Sequence, residues 1–268
     1  MKAAAFDYLQ PATLAEAASL LAAGAGMAKA IAGGQSLGPM LNLRLAQPAA
    51  LVDLAGIGAA ATARDLGDAV LIGAGVTHAA IEDGRVPDPS RGLMPRVASN
   101  IAYRAVRNRG TIGGSLAHAD PAADWVSTMR LLDAVYLIEG PGGSREVASG
   151  AFMQAAFTTA LGEDEVLAGV RIARLSPTAR FGYFKFCRKV GEFAEAIGAV
   201  LLDPSRGVRR AVIGATAGAP HLVADIDAVL AGDTAALTAE VHAAGCDEPY
   251  EIQMHSTALK RAIAEARA

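Results

Sequence analysis

Two glycine-rich segments constrain this chain more than any other feature of its sequence. They are Ala32-Gly33-Gly34-Gln35-Ser36 and Thr111-Ile112-Gly113-Gly114-Ser115. Paired glycines allow the backbone to take a positive φ, and successive N–H groups in such a turn can converge on one anion. A serine ends each segment and adds a hydroxyl donor. Together the two segments predict a site for a diphosphate-bearing cofactor.

The surroundings of the first glycine segment favour phosphate binding without a Rossmann site. The sequence predicts a strand over 28–32, the glycine turn, and a helix over 37–45, an order that brings backbone amides to a phosphate. The run Gly33-Gly34-Gln35-Ser36-Leu37-Gly38 does not have the spacing G-x-G-x-x-G, and no Walker A lysine follows it. Taken alone, either glycine pair is also explained by a tight turn.

Composition narrows the class of protein. The 268 residues are 52% hydrophobic, which is enough for a substantial buried core. The net charge of −3 argues against nucleic acid as a partner, and no apolar run approaches the roughly 20 residues of a membrane-spanning helix. The polar start of the chain predicts that there is no signal peptide and that the protein is cytoplasmic. Since the chain has only two cysteines, Cys187 and Cys246, no metal site is expected in it.

The pattern of elements predicts an α+β chain in two parts. Strands and helices alternate over 1–175, with subdomains expected over about 1–55 and 56–175. A helix over 94–107 is expected to lead into the second glycine segment, followed by an irregular stretch as far as Pro121. Over 176–268, an antiparallel three-stranded sheet covered on one face by helices is predicted. Its strands are expected at 181–186, 194–202 and 208–215, and the helices near 222–231, 234–244 and 256–267.

Ionisable residues follow the second glycine segment closely. Asp120 and Asp124 are acceptor-only groups suited to the hydroxyls of a ribose or ribityl chain. Either could instead cap the helix predicted to begin near Ala123, and the sequence leaves the two interpretations open. For His118, a structural role is favoured over that of a base, because no nucleophile or carboxylate partner is identifiable.

Several of these motifs carry a resemblance to a known family. The chain resembles the FAD-binding medium subunit of molybdenum hydroxylases, a family that includes aerobic carbon monoxide dehydrogenase and the flavin part of xanthine dehydrogenase. The matching residues are Ala32 to Leu37, Pro39-Met40, Leu43-Arg44-Leu45-Ala46, Ile101, Arg107 to Ser115, Ala117-His118-Ala119-Asp120-Pro121 and Asp124. The resemblance implies a two-part FAD-binding domain of the PCMH type over 1–175 and a C-terminal medium-subunit domain over 176–268. Gln35 stands where some members carry histidine.

The resemblance also implies a set of cofactor-binding residues. Segments 31–37 and 111–115 would enclose the FAD pyrophosphate, Asp124 would hold a cofactor hydroxyl, and Ile101 would lie against the isoalloxazine ring. The Leu167 amide and the Lys185 side chain would lie near that ring, although Lys185 alone would also suit a solvated strand position. No catalytic residue is expected. The implied cofactor-binding residues are Ile31, Ala32, Gly33, Gly34, Gln35, Ser36, Leu37, Ile101, Thr111, Gly113, Gly114, Ser115, Asp124, Leu167 and Lys185.

The partners follow from the same resemblance. A large subunit would carry the molybdenum cofactor and a small subunit two [2Fe–2S] clusters, in a dimer of heterotrimers, and this chain would pass electrons to an external acceptor. The basic run Arg96, Arg104, Arg107 and Arg109 is a candidate docking surface, or an ordinary solvated helix face. Two other functions remain open: a stand-alone FAD-dependent reductase of the enolpyruvyl-reducing type, and a cofactor-free scaffold subunit.

Overall fold

The computed structural model describes residues 2–268, which form three main β-sheets, a small hairpin and surrounding helices. The strands are β1 (Asp7–Leu9), β2 (Ala28–Ile31), β3 (Ala50–Asp53), β4 (Ala63–Asp65), β5 (Ala69–Gly73), β6 (Val135–Gly140), β7 (Gly143–Ala148), β8 (Met153–Ala155), β9 (Thr158–Thr159), β10 (Val166–Ala173), β11 (Arg180–Phe186), β12 (Ala196–Asp203), β13 (Val208–Gly214) and β14 (His221–Leu222).

Helices connect and cover these sheets. They are α1 (Leu14–Ala23), α2 (Leu37–Asn42), α3 (His78–Glu82), α4 (Leu93–Ser99), α5 (Arg104–Arg107), α6 (Ile112–His118), α7 (Asp124–Leu132), α8 (Ser149–Phe152), α9 (Ile226–Ala231), α10 (Thr234–Ala243) and α11 (Pro249–Arg267). No helix within residues 2–268 is long and apolar enough to cross a membrane.

The first sheet is parallel, with the order β1-β3-β2. Its covering helix α1 begins at a capping box, because Thr13 Oγ1 accepts from Glu16 N at 3.1 Å and Glu16 Oε2 accepts from Ala12 N at 2.7 Å. Strand β2 runs directly into the first glycine turn, and α2 starts just after it. The predicted order of strand, glycine turn and helix is therefore confirmed.

The second sheet is antiparallel, with the order β4-β5-β10-β6-β7. Strand β6 alternates half-buried and buried residues, the pattern expected of a sheet with one face on the core. The core between this sheet and α7 contains the fully buried indole of Trp125. In the pairing of β10 with β6 the register shifts between Leu167 and Gly169, so a bulge lies where the sheet meets the cleft described below.

The third sheet has the order β11-β12-β13-β14 and is antiparallel. The three predicted strands are confirmed, and the two-residue strand β14 adds a fourth. The long helix α11 packs directly on glycines of this sheet, because a Cβ on Gly198 would lie 2.5 Å from backbone atoms of Ala258. The helix predicted over 256–267 begins seven residues earlier than expected, at Pro249. A proline is tolerated in the first turn of a helix, because the N–H that it lacks would make no helical hydrogen bond there. The expected domain limits near residues 55 and 175 stay predictions.

The predicted helix over 94–107 is wrong in its middle. Helix α4 ends at Ser99, Ile101 forms an isolated parallel bridge with Gly191, and α5 starts only at Arg104. Ala102 between them has φ of 45°, which no α-helix contains. Helix α6, capped by Thr111, begins inside the second glycine segment and continues to His118, so the stretch predicted to be irregular is helical over 116–118. The apolar residues in 94–107 have helical spacing but do not form one continuous helix, because the backbone of Ile101 pairs with that of Gly191 instead.

Candidate cofactor site

A cleft of about 600 Å³ lies between the first glycine turn on one side and the second glycine turn on the other. This volume is within the ordinary range for sites that bury a cofactor-sized molecule. Every residue predicted to bind the cofactor lines this one cleft, from both turns to Ile101, Asp124, Leu167 and Lys185. The sequence therefore identified residues that the fold brings together, although they come from distant parts of the chain.

The two glycine turns touch each other at Gly33. A Cβ added to Gly33 would lie 2.8 Å from the Gly110 Cα and would overlap the carbonyl group of Arg109. Gly34 has φ of 69°, in the left-handed region that favours glycine. The paired glycines of the first turn are thus required for two reasons, a close backbone approach at Gly33 and a positive φ at Gly34.

The first turn presents unpaired backbone donors. Within residues 2–268, the N–H groups of Gly33, Gly34, Gln35 and Ser36 donate to no backbone or side-chain acceptor. All four residues line the cleft. A row of open amides beside a cleft is the donor set that an anionic diphosphate satisfies, without any lysine or arginine.

The second turn differs from this expectation. Its amides are already engaged, since Gly113 N donates to Ala74 O at 2.9 Å, Gly114 N to Thr111 Oγ1 at 3.0 Å and Ser115 N to Thr111 O at 3.1 Å. The sequence predicted two equivalent amide cradles, and for the second turn that is wrong. The glycine at 113 is needed because its Cα packs against Ala74, where a Cβ would lie 2.6 Å from the Ala74 carbonyl oxygen. The second turn is thus a firm wall for the cleft, and its Ser115 hydroxyl remains available as a donor.

Asp124 and Lys185 form a buried ion pair in the cleft wall. Lys185 Nζ lies 2.8 Å from Asp124 Oδ2, with side chains 9% and 5% exposed, and also donates to the Asn100 carbonyl oxygen at 3.4 Å. Tyr183 Oη donates to the other carboxylate oxygen, Oδ1, at 2.8 Å. Burial raises the pKa of Asp124, while the Lys185 ammonium and the two hydrogen bonds oppose that rise. An ammonium has three N–H groups, and the contacts with Asp124 and Asn100 account for two of those of Lys185.

The two aspartates after the second turn take different roles. Asp120 Oδ1 accepts from Ala122 N at 2.9 Å and so closes the turn before α7. Asp124 is the first residue of α7 but makes no side-chain cap, because both of its carboxylate oxygens accept from β11. His118 lines the cleft with its ring centroid 5.2 Å from that of Phe157. Neither aspartate therefore caps α7, whose N-cap Ala123 has no side-chain hydrogen bond, and Asp124 lines the cleft.

Sequence reasoning missed two residues of this site, Tyr183 and His78. Tyr183 precedes Lys185 by two positions on β11, so both side chains share one face of the strand, and that spacing could have identified it. His78 is 5% exposed, lines the cleft and accepts at Nδ1 from Trp125 Nε1 at 3.0 Å. Burial lowers the pKa of His78 to about 4. Only the three-dimensional structure brings it beside the second turn.

The basic run proposed as a docking surface is mostly engaged within the chain. Arg96, Arg104 and Arg107 each form a salt bridge with an acidic residue of this chain. Only Arg109 of the four makes no ion pair among residues 2–268. The alternative interpretation, an ordinary charged helix surface, describes this run better.

The chain matches known proteins both in sequence and in structure. Residues 4–174 match the family described as the FAD binding domain in molybdopterin dehydrogenase. The carbon monoxide dehydrogenase medium chain of Afipia carboxidovorans is 35% identical over 98% of this chain and 97% of its own length. The nicotine 6-hydroxylase medium subunit of Paenarthrobacter nicotinovorans is 34% identical over 87% of this chain and 82% of its own length. A solved carbon monoxide dehydrogenase from Hydrogenophaga pseudoflava superposes with a TM-score of 0.91 and 32% identity, over 100% of this chain and 99% of that chain.

Fold and cleft together define an oxidoreductase subunit with an FAD-binding domain. The open amides of the first turn and the firm wall of the second are a fitting donor set for a dinucleotide diphosphate. The chain belongs to the family of FAD-binding medium subunits of molybdenum hydroxylases.

Proposed function

We propose that this chain is the electron-exit subunit of a molybdenum hydroxylase complex. It takes electrons from [2Fe–2S] clusters of a small subunit, while a large subunit oxidises the substrate at a molybdenum cofactor, and it delivers them to an external acceptor. Bound FAD supplies the redox chemistry, because a flavin exchanges single electrons with clusters and pairs of electrons with other acceptors. The chain itself contributes binding, orientation and electrostatics.

The observation that carries this proposal is the composite cleft. The first turn would offer its amides to the diphosphate, and the same cleft is lined by Lys185, which donates to the carbonyl of Asn100 next to Ile101. A cation near the ring favours its reduced, negatively charged form, and Asp124 and Tyr183 hold that cation in place. The proposed FAD-binding residues are therefore those predicted from the sequence. Tyr183 supports them through its hydrogen bond to the Asp124 carboxylate.

An exposed apolar rim supports docking of a partner beside the cleft. Tyr103 is 70% exposed, Phe193 65% and Val190 80%, and the first two line the cleft mouth. Contiguous exposed aromatic and apolar side chains mark protein interaction sites more often than charged surfaces do. We therefore place the small subunit at this rim, where its nearest cluster would be close to the cofactor.

The experiment compares complexes that differ only in flavin content. Genes for the large and small subunits are co-expressed with this chain as wild type, Gly33→Ala or Gly38→Ala. Gly33→Ala disrupts the contact between the turns, whereas a Cβ on Gly38 meets open space and serves as the matched control. The clusters of each purified complex are reduced anaerobically by photoreduction, and their reoxidation by ferricyanide, a quinone, NAD and oxygen is followed by absorbance.

The wild-type and Gly38→Ala complexes are expected to show flavin absorbance at about 450 nm and to reoxidise their clusters with at least one acceptor. The flavin-poor Gly33→Ala complex is expected to keep its clusters reduced with that acceptor. Equal reoxidation with and without flavin would contradict the proposal. A colourless wild-type chain would favour the scaffold function, and nicotinamide-dependent reduction of a small substrate by the isolated chain would favour the reductase.

Docking and assembly are tested separately. Tyr103→Ser is expected to weaken small-subunit binding, while Tyr250→Ser, at a residue 63% exposed on α11, serves as the control. The proposed dimer of heterotrimers is tested by native mass spectrometry of the complex. The cytoplasmic location also remains a proposal, supported by the free thiols of Cys187 and Cys246 and tested by cell fractionation.

A further inference from the structure

His78 is a buried histidine of the cleft wall with one ring nitrogen paired and the other unpaired. Its Nδ1 is 3.0 Å from Trp125 Nε1. An indole N–H can only donate, so Nδ1 must be the acceptor. Burial lowers the pKa of His78 to about 4, and the imidazole is therefore neutral at neutral pH. A neutral ring that accepts at Nδ1 carries its proton on Nε2, so Trp125 fixes the tautomer.

The protonated nitrogen reaches the cleft. Within residues 2–268, Nε2 has no hydrogen-bond partner. It is also not among the fully enclosed unpaired side-chain atoms of that part of the chain, which are Ser127 Oγ, Ser149 Oγ and His255 Nδ1. Since His78 lines the cleft and is otherwise buried, the accessible edge of its ring faces the cleft.

The position of this edge is beside the junction of the two glycine turns. A Cβ on Gly110 would lie 2.9 Å from His78 Nε2, and Gly110 in turn packs against Gly33. His78 N also donates to Gly110 O at 2.9 Å, so both the backbone and the ring of His78 contact Gly110. The N–H groups of Gly33 and Gly34, which have no acceptor within residues 2–268, belong to residues that line the same cleft. A further N–H at this point requires an acceptor, and the acceptor that suits a group of donors is an anion.

We propose that the Nε2–H of His78 donates a hydrogen bond to the diphosphate of the dinucleotide held between the two turns. This inference rests on the proposed FAD site. It adds a donor beside the second turn, where the amides of Gly113, Gly114 and Ser115 are already engaged. Because the ring is neutral, it adds a directed hydrogen bond and no charge, and His78 and Trp125 act as one unit in which Trp125 is a positioning residue.

The test uses the flavin-free full-length chain and ligands that carry different parts of the dinucleotide. FAD, ADP, FMN and adenosine are titrated into the wild type, His78→Leu and His78→Gln by calorimetry. His78→Leu removes the donor, while the amide of His78→Gln restores one. His255→Leu is the matched control, because His255 is buried to a similar degree and lies outside the cleft.

Loss of a hydrogen bond to a charged group is expected to weaken FAD and ADP binding by between about tenfold and about a hundredfold in His78→Leu. Adenosine binding should be unchanged, and His78→Gln should recover part of the loss. His255→Leu is expected to lower thermal stability without changing any affinity. Imidazole ¹⁵N shifts of the labelled wild-type chain should report the Nε2–H tautomer before and after ADP is added.

Three results would overturn the inference while leaving the proposed function intact. These are unchanged ADP affinity in His78→Leu, a loss confined to FAD and FMN, and an Nδ1–H tautomer. If the wild-type chain binds none of the four ligands, the proposed FAD site itself fails. Trp125→Phe provides a second test, because without the indole N–H both tautomers of His78 are populated. The affinity of this variant for ADP should be intermediate between those of the wild type and His78→Leu.

Discussion

Replacing Lys185 by methionine tests how the cleft wall is held together. Methionine keeps most of the volume of the side chain but leaves the Asp124 carboxylate, 4% exposed, with Tyr183 as its only side-chain donor. At the 2.8 Å separation of the pair, Coulomb attraction is about 6 kcal/mol for an effective dielectric constant of about 20. Desolvation offsets part of this, so we expect the free energy of unfolding to fall by roughly 3–5 kcal/mol at neutral pH, as when one side of a buried pair is removed.

The pH dependence of this loss has a definite sign. Burial already raises the folded-state pKa of Asp124, and removal of the ammonium raises that pKa further. A carboxyl whose pKa is raised by folding stabilises the fold below its unfolded pKa, and that contribution is lost as the pH rises through the folded pKa. The destabilisation by Lys185→Met should therefore be largest at neutral and alkaline pH and should shrink as the pH falls and Asp124 takes up a proton.

The assay is urea unfolding of the flavin-free chain, followed by circular dichroism, at several pH values. Lys185→Met, Asp124→Asn and the double variant form a double-mutant cycle, which isolates the coupling between the two residues. The control is Arg209→Met. Arg209 and Asp227 are 2.7 Å apart, but their side chains are 58% and 63% exposed, so this substitution should change stability by less than about 1 kcal/mol.

Two outcomes would refute this account of the pair. The first is additivity, in which the double variant loses as much stability as the two single variants together. The second is a Lys185→Met effect that is small and independent of pH, like that of Arg209→Met. Either result would mean that the ion pair between Lys185 and Asp124 does not contribute a coupling energy to the stability of the fold.

Two further predictions concern the turns and the buried histidine. Gly33→Ala places a methyl group against the carbonyl of Arg109 and should destabilise the chain by about 1–3 kcal/mol. Titration with FAD should show weaker binding by Gly33→Ala than by Gly38→Ala, and equal affinities would contradict the contact between the turns. Because folding lowers the pKa of His78 from 6.5 to about 4, its contribution to stability is present above pH 6.5 and is lost as the pH falls toward 4. Between about pH 7.5 and about pH 5, the free energy of unfolding of the wild type should therefore fall by about 2 kcal/mol more than that of His78→Gln. Parallel pH profiles of the two proteins would show that His78 is not held neutral.

The fold and the site were predictable to the extent that local rules decide them. The capping box at Thr13 and the glycine turn after β2 depend on neighbouring residues, so the sequence predicts them correctly. The break at Ile101 depends on a backbone bridge to Gly191, which no local pattern encodes. A spacing of four in apolar residues therefore predicted one long helix where the chain forms two short ones.

The same distinction applies to the cleft. Asp124 and Lys185 were identified through family resemblance, but their direct ion pair and the Tyr183 hydrogen bond follow only from the packing of α7 on the third sheet. The second glycine turn shows the limit most clearly. Its sequence fits an amide cradle as well as the first turn does, yet Gly113 N bonds to Ala74 in the segment after β5, and Gly114 N and Ser115 N bond to the helix cap Thr111. Whether a backbone donor is free is a property of the folded chain and not of the motif.

The contact between Gly33 and the backbone at Arg109 also has a consequence for biosynthesis. The cleft is not complete in residues 2–55, because Gly110, Thr111 and Lys185 on β11 also line it. Since a ribosome delivers the chain from its N-terminus, the first turn emerges long before its counterpart. With the flavin bound in this cleft, as proposed, its uptake would wait until about two-thirds of the polypeptide has left the ribosome.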